Sequence, residues 1–170
     1  METYDDCLVK ARELFIPTNV IARAHGIKIP ITEETTRLLD QLKRAKTQKE
    51  RRDIYINAES DSEIEEAAMQ AYLDNATTQE ERYILYSDAN SGSKIKKISL
   101  TSYMNNATNQ NERWWVYEYA SNENIIELRD RALEEYLAHA TTQKERRQVI
   151  EVSTPESPIY RAAVRALCCH

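Results

Sequence analysis

The sequence predicts an all-α fold: a right-handed α-α superhelix, or α-solenoid, of paired antiparallel helices with capping helices at its ends. Three observations carry that reading. The phrase Ala45-Lys46-Thr47-Gln48-Lys49-Glu50-Arg51 returns as Ala76-Thr77-Thr78-Gln79-Glu80-Glu81-Arg82, as Ala107-Thr108-Asn109-Gln110-Asn111-Glu112-Arg113 and as Ala140-Thr141-Thr142-Gln143-Lys144-Glu145-Arg146, at steps of 31, 31 and 33 residues. A fixed period in this range marks stacked helical repeats. The 170 residues include only two glycines and four prolines, which is poor material for turns between strands. Between the phrases, apolar residues recur at helical spacing, as in Ile64, Ala67, Ala68, Ala71 and Tyr72.

The elements follow in order. Residues 1–31 are expected to form N-terminal capping helices, the first carrying Cys7, Leu8, Ala11, Leu14 and Phe15, the second running from Thr18 to Ala24 and stopped by Gly26. Pro30 and Thr32 introduce four helix-turn-helix repeats at about 32–62, 63–93, 94–124 and 125–157. Each repeat reads as helix A, a tight turn, helix B and a short loop. In the second repeat Asn90-Ser91-Gly92-Ser93 supplies the turn chemistry that ends helix B. Pro158 sits well at a first helical position. It opens a C-terminal capping helix at 158–170, or the start of a truncated fifth repeat.

The repeated phrase itself reads as a helix start. Thr47, Thr78, Asn109 and Thr142 are good N-cap residues, and Glu50, Glu81, Glu112 and Glu145 stand three residues later, the spacing of a capping box. Columns of apolar residues then locate the core. Helix A supplies Leu38, Met69, Leu100 and Leu133, then Leu42, Leu73, Met104 and Leu137, with a tyrosine column at Tyr72, Tyr103 and Tyr136. Helix B supplies Ile54, Leu85, Val116 and Val149, then Tyr55, Tyr86, Tyr117 and Ile150. Ala45, Ala76, Ala107 and Ala140 are small where helix A turns into helix B, as close packing needs. Arg51, Arg82, Arg113 and Arg146 form a ladder whose heads are expected to pair with neighbouring acids.

Composition excludes several classes. With 23 basic and 28 acidic residues the net charge is −5, which argues against binding nucleic acid by phosphate neutralisation. No run of 18 apolar residues occurs, so no membrane span is expected. The acidic N-terminus lacks the regions of a secretory signal. Three cysteines make no disulfide framework and fit a reducing, cytoplasmic compartment. Cys168-Cys169-His170 lacks two further ligands at suitable spacing, so neither metal nor cofactor is expected. His25, His139 and His170 are scattered, and no phosphate loop, nucleophile elbow or zinc-protease motif occurs. A non-enzymatic protein is the expectation.

The two-helix unit of about 31 residues resembles the HEAT-like class of α-solenoids over roughly residues 32–170, on period and helix pairing rather than on a specific motif. HEAT-like proteins mostly serve as protein-binding scaffolds and adaptors, with the B helices on the concave surface. The resemblance therefore implies a partner protein or peptide segment along the helix-B face. That face varies most between repeats: Arg52-Asp53, Tyr83-Ile84, Trp114-Trp115 and Arg147-Gln148, with Tyr119 a turn later. Trp, Tyr and Arg dominate interface hot spots, so Trp114, Trp115, Tyr119, Tyr83, Arg52 and Arg147 are the candidate partner-binding residues. The competing reading for Trp114 or Trp115 is a filler of the seam between repeats. Some HEAT-like proteins are DNA-base glycosylases, so the resemblance also implies an alternative of another functional class, a nucleic-acid enzyme using Trp114, Trp115 and Asp53. A fragment of a larger scaffold protein is a third.

Overall fold

The structure, a computed structural model, describes residues 33–60 and 62–168. The helices expected within residues 1–31, with Cys7 and His25, lie outside the described residues, as do Cys169 and His170. The described residues form nine helices and no strand: α1 (Glu33–Arg44), α2 (Gln48–Asn57), α3 (Glu63–Asp74), α4 (Gln79–Asp88), α5 (Lys94–Asn105), α6 (Gln110–Asn122), α7 (Ile126–Ala138), α8 (Gln143–Val152) and α9 (Pro158–Cys168). This is the all-α class that the sequence predicts. The chain divides into two compact units, Met1–Tyr72 and Leu73–His170, with the boundary inside α3.

Each helix B starts where the repeated phrase places its cap. Thr47, Thr78 and Thr142 have extended backbone, and their hydroxyls accept the amides of Glu50, Glu81 and Glu145. The glutamate carboxylates return to the cap amides, which closes three complete capping boxes. The fourth closes differently. Asn109 accepts the Glu112 amide at 3.0 Å, while the Glu112 carboxylate takes the Thr108 amide at 2.6 Å. Helices α3, α5 and α9 open on Ser62, Ser93 and Ser157, whose hydroxyls accept the amides of Glu65, Lys96 and Tyr160. Gly92 (φ 73°) makes the left-handed turn just before Ser93, a conformation that a Cβ disfavours.

The 33-residue step has a structural origin. Helix α6 runs 13 residues where α2, α4 and α8 run 10, and α7 runs 13 where α1, α3 and α5 run 12. It ends in a Schellman turn: Asn124 takes φ 55°, the Ile125 amide reaches the Ala120 carbonyl at 2.8 Å, and the Asn124 amide reaches Ser121 at 3.2 Å. That turn satisfies the end of α6 and starts α7 at once, so α7 has no side-chain cap bond of its own.

The arginine ladder corrects the sequence expectation. The heads go to backbone carbonyls rather than to acids: Arg51 Nη2 to Ala45 at 3.3 Å, Arg82 to Ala76 at 2.9 Å, Arg113 to Ala107 at 3.4 Å and Arg146 to Ala140 at 3.3 Å. Carbonyls at a helix C-terminus lack intrahelical partners and carry the negative end of the dipole, so a guanidinium is well placed there. The four alanines are half-buried; their carbonyls, more than their small side chains, make the turn. One further residue of the phrase has a task that sequence reading missed. Gln48 Nε2 donates to the Tyr72 carbonyl at 3.0 Å, Gln79 to Tyr103 at 3.1 Å and Gln110 to Tyr136 at 2.9 Å. Each ties the start of a helix B to the end of the next helix A. The signal was present, since all four phrases carry glutamine at this position.

Most of the predicted column residues form the core, while Leu42, Tyr103, Tyr117, Leu137 and Ile150 are only half-buried. In the first unit Leu38, Ile54, Tyr55, Met69 and Tyr72 are buried, and the rings of Tyr55 and Tyr72 meet edge-on at 5.8 Å. In the second unit Leu85, Leu100, Val116 and Val149 are fully buried, each contributing roughly 1.5–3 kcal/mol. There each helix B packs most closely on the helix A that follows it: α4 on α5, α6 on α7, α8 on α9. Ala120 and Ala132, both fully buried, allow the closest of these approaches, between α6 and α7.

Candidate functional site

Five of the six candidate residues lie in the second unit. Trp115 is the centre of a ring cluster drawn from three helices. Tyr119, one turn along α6, lies 4.2 Å from it, and Tyr103 of α5 lies 4.5 Å away. Tyr83 and Tyr86 of α4 approach edge-on at 5.2 and 5.5 Å, the separations and angles that aromatic quadrupoles favour. The cluster rests on buried Leu100, Met104, Val116 and Ala120. It reaches solvent at Tyr83, which is 41% exposed.

A polar brace secures the same seam. Glu123, at the C-terminal cap of α6, accepts the Ser91 hydroxyl at 2.9 Å and the Gly92 amide at 3.4 Å, and pairs with Lys96 at 3.5 Å. Lys96 also donates to the Ala89 carbonyl at 3.1 Å and sits 4.6 Å above the Tyr86 ring. Burial works to raise the pKa of Glu123, but Ser91, Lys96 and the Gly92 amide outweigh it and hold the carboxyl below the usual range. Burial, helped by the Glu123 charge, pushes the Tyr86 hydroxyl up to about 12. Burial likewise raises Tyr103 and Tyr136.

Trp114 points elsewhere. It lies about 100° round the helix from Trp115. Its ring meets Tyr117 at 4.8 Å and Tyr136 at 5.2 Å, both in tilted contact, against the buried cluster of Tyr136, Val149 and Ala163. The indole N–H donates to Glu118 at 3.0 Å, and the Tyr136 hydroxyl donates to Gln148 at 3.0 Å. Arg147, the residue before Gln148, lines a cavity of about 470 Å³ with Lys144, Gln148 and Glu151.

The structure thus gathers Tyr83, Trp115 and Tyr119 into one cluster and sets Trp114 in a second, linked through Tyr136 and Gln148 to the α8 surface that carries Arg147. Arg52 is on α2 in the first unit, half-buried, and beside it Asp53 pairs with Lys49 at 3.1 Å. A cavity of about 570 Å³ in that unit is lined by Arg37, Leu38, Arg44, Glu50, Asp53 and Ile54 among others. His139 stands at the end of α7 with Nδ1 2.9 Å from the Glu135 carbonyl. Among the described residues, no three His, Cys, Asp or Glu side chains are grouped to hold a metal ion. No helix among them is long and apolar enough to cross a membrane. Sequence reading missed Lys96 and Glu123 as parts of these sites, and it placed Gln148 on the variable helix-B face without giving it a role. Tyr86, Tyr103 and Tyr136 were read as core columns, and periodicity shows burial but not ring-to-ring geometry.

These features define an all-helical protein whose helices pack in successive pairs, compatible with a helical repeat. In comparisons with known proteins the chain matches no family, no curated protein and no solved structure.

Proposed function

We propose that the chain is a non-enzymatic protein-interaction module, a HEAT-like scaffold or adaptor that holds a segment of a partner protein along its B helices. The period and the helix pairing support the HEAT-like assignment. The observation that carries the binding reading is the concentration of rings on α4 and α6 with Tyr83 left 41% exposed at the edge of the Trp115 cluster. A large apolar ring kept at the surface beside an ordered aromatic platform is the composition of an interface hot spot.

The test is capture of a partner by the wild-type protein, its identification, and titration of the purified pair. Tyr83→Ala and Trp114→Ala are each expected to weaken binding roughly 10- to 30-fold, the scale of a hot-spot truncation. Helical circular dichroism should be retained, because neither side chain is fully buried. Unchanged affinity in the double variant would remove the reading.

A further inference from the structure

We propose that the side of α9 carrying Val164 and Leu167 is a docking site for an amphipathic helix of the helix-B kind, supplied by a partner protein and bordered by acidic residues. This surface is separate from the helix-B face and does not depend on it. Small residues fix the register: Ser99, Ala132 and Ala163 are fully buried at equivalent places on α5, α7 and α9. One position further along, Leu100 and Leu133 are buried, but Val164 is only half-buried. Beside it Leu167 is half-buried and Cys168 is exposed. On α5 and α7 the helix B that follows packs on this region. Leu100 and Met104 share a buried cluster with Val116 and Ala120 of α6. Tyr136 of α7 shares one with Val149 of α8 and donates to Gln148 at 3.0 Å. Helix α9 packs on α7 and α8, with Ile159 and Ala163 in that same cluster, and no helix B follows it among the described residues. The Val164 side therefore continues an interface that the second unit already uses twice.

Charge narrows the occupant. Helix α9 holds no acidic residue, and Arg161 and Arg165 are its exposed cations. With Ala163 toward the core, Val164 lies about 100° round the helix, with Arg161 about 60° and Arg165 about 100° beyond it. The apolar strip thus has a basic border. Glu156 engages Arg161 at 3.6 Å, which leaves Arg165 as the cation that a docked helix meets. An amphipathic helix with acids beside its apolar stripe complements that border. A second copy of the chain fits less well. Its helices α4, α6 and α8 are each packed on the helix A that follows, and pairing α9 with α9 gathers the arginines of two acid-free helices at one seam.

The probe is a labelled synthetic peptide with the sequence of this chain's own α4 and its cap, residues 76–90, which carries Leu85 and Tyr86 with Glu80, Glu81 and Asp88. A side-chain staple holds it helical, because isolated helices of this length are marginal in water. Fluorescence anisotropy against the full chain is expected to show binding about 10-fold tighter than for a stapled peptide of scrambled order. Val164→Asp should weaken binding about 10-fold. Arg165→Glu, at an exposed position, should weaken it about 3-fold, an effect that fades with added salt. Tyr83→Ala in the protein should leave it unchanged. Equal binding of the scrambled peptide overturns the assignment, as does unchanged affinity in a Val164→Asp variant that keeps its helical circular dichroism. Loss of binding in Tyr83→Ala overturns it too, by placing the peptide on the helix-B face. Self-association of the chain by light scattering, abolished by Val164→Asp, overturns it in favour of a second copy. Should Val164→Asp unfold, Arg165→Glu decides: unchanged affinity at low salt sinks the proposal.

Discussion

Trp114 and Trp115 are consecutive residues, yet they serve two different seams of the second unit. Trp115 is enclosed by rings from α4, α5 and its own helix, over a floor of fully buried Leu100 and Val116. Its seam is further tied by the Glu123–Lys96 pair, whose side chains are only 15% and 12% exposed. Trp114 meets two rings and bonds a glutamate at its own surface. The difference shows how one helix B joins the helices on either side of it: adjacent positions diverge by about 100° and so reach opposite neighbours. Trp115 sits within a cluster of four other rings, while Trp114 packs on two rings and bonds Glu118.

The strongest way to break this comparison is truncation. Trp115→Ala should cost about 2–4 kcal/mol in urea unfolding, near the lower part of the range for buried aromatics because the ring is half-buried. Trp114→Ala should cost about half as much. Equal losses would mean that the two seams carry the same load.

A smaller effect is expected from the polar brace. Glu123→Gln keeps the shape but removes the charge that Lys96, Ser91 and the Gly92 amide hold, with a cost of about 1–2 kcal/mol at neutral pH. The pH dependence has a definite sign. The folded pKa of Glu123 lies below its unfolded value of about 4.3, so its contribution is complete above that pH and is lost as pH falls through the folded pKa. Wild type and variant should therefore converge on acidification. Glu50, Glu81, Glu112 and Glu145 are lowered too, Glu50 and Glu145 chiefly by cap amides, Glu81 and Glu112 by the same bonds working against burial. Both proteins should accordingly lose stability in that acid window, measured as the urea midpoint against pH.

The smallest effect sharpens the comparison on the Trp114 side. Gln110→Ala removes the bond to the Tyr136 carbonyl, at about 1 kcal/mol. Because Tyr136 carries Trp114, the Trp114 emission should shift in this variant while the contacts of Trp115 are untouched. A variant with unaltered emission would separate the glutamine bond from the ring seam.

Much of this architecture was legible in one sequence because it repeats. Four copies of the capping phrase placed the helix B starts, and the columns that contain Leu100, Val116 and Val149 named the most deeply buried positions, since helical periodicity is a local property of the chain. The same phrase was only partly understood. Its arginine was expected to seek acids, and it seeks the alanine carbonyl six residues back. Its glutamine was given no role, and it bridges to the next repeat. In both cases the partner is a backbone carbonyl, which every residue has and no residue type advertises.

The sequence by itself determined that the chain is helical, where each helix B begins and which side chains form the core, because capping and amphipathic spacing act within a few residues. Tertiary structure alone decided that Trp114 and Trp115 belong to separate seams and that Glu123 reaches back 32 residues to Ser91. Those outcomes depend on how helices meet across the core. That geometry is set by the packing of many side chains at once, and no single stretch of sequence contains it.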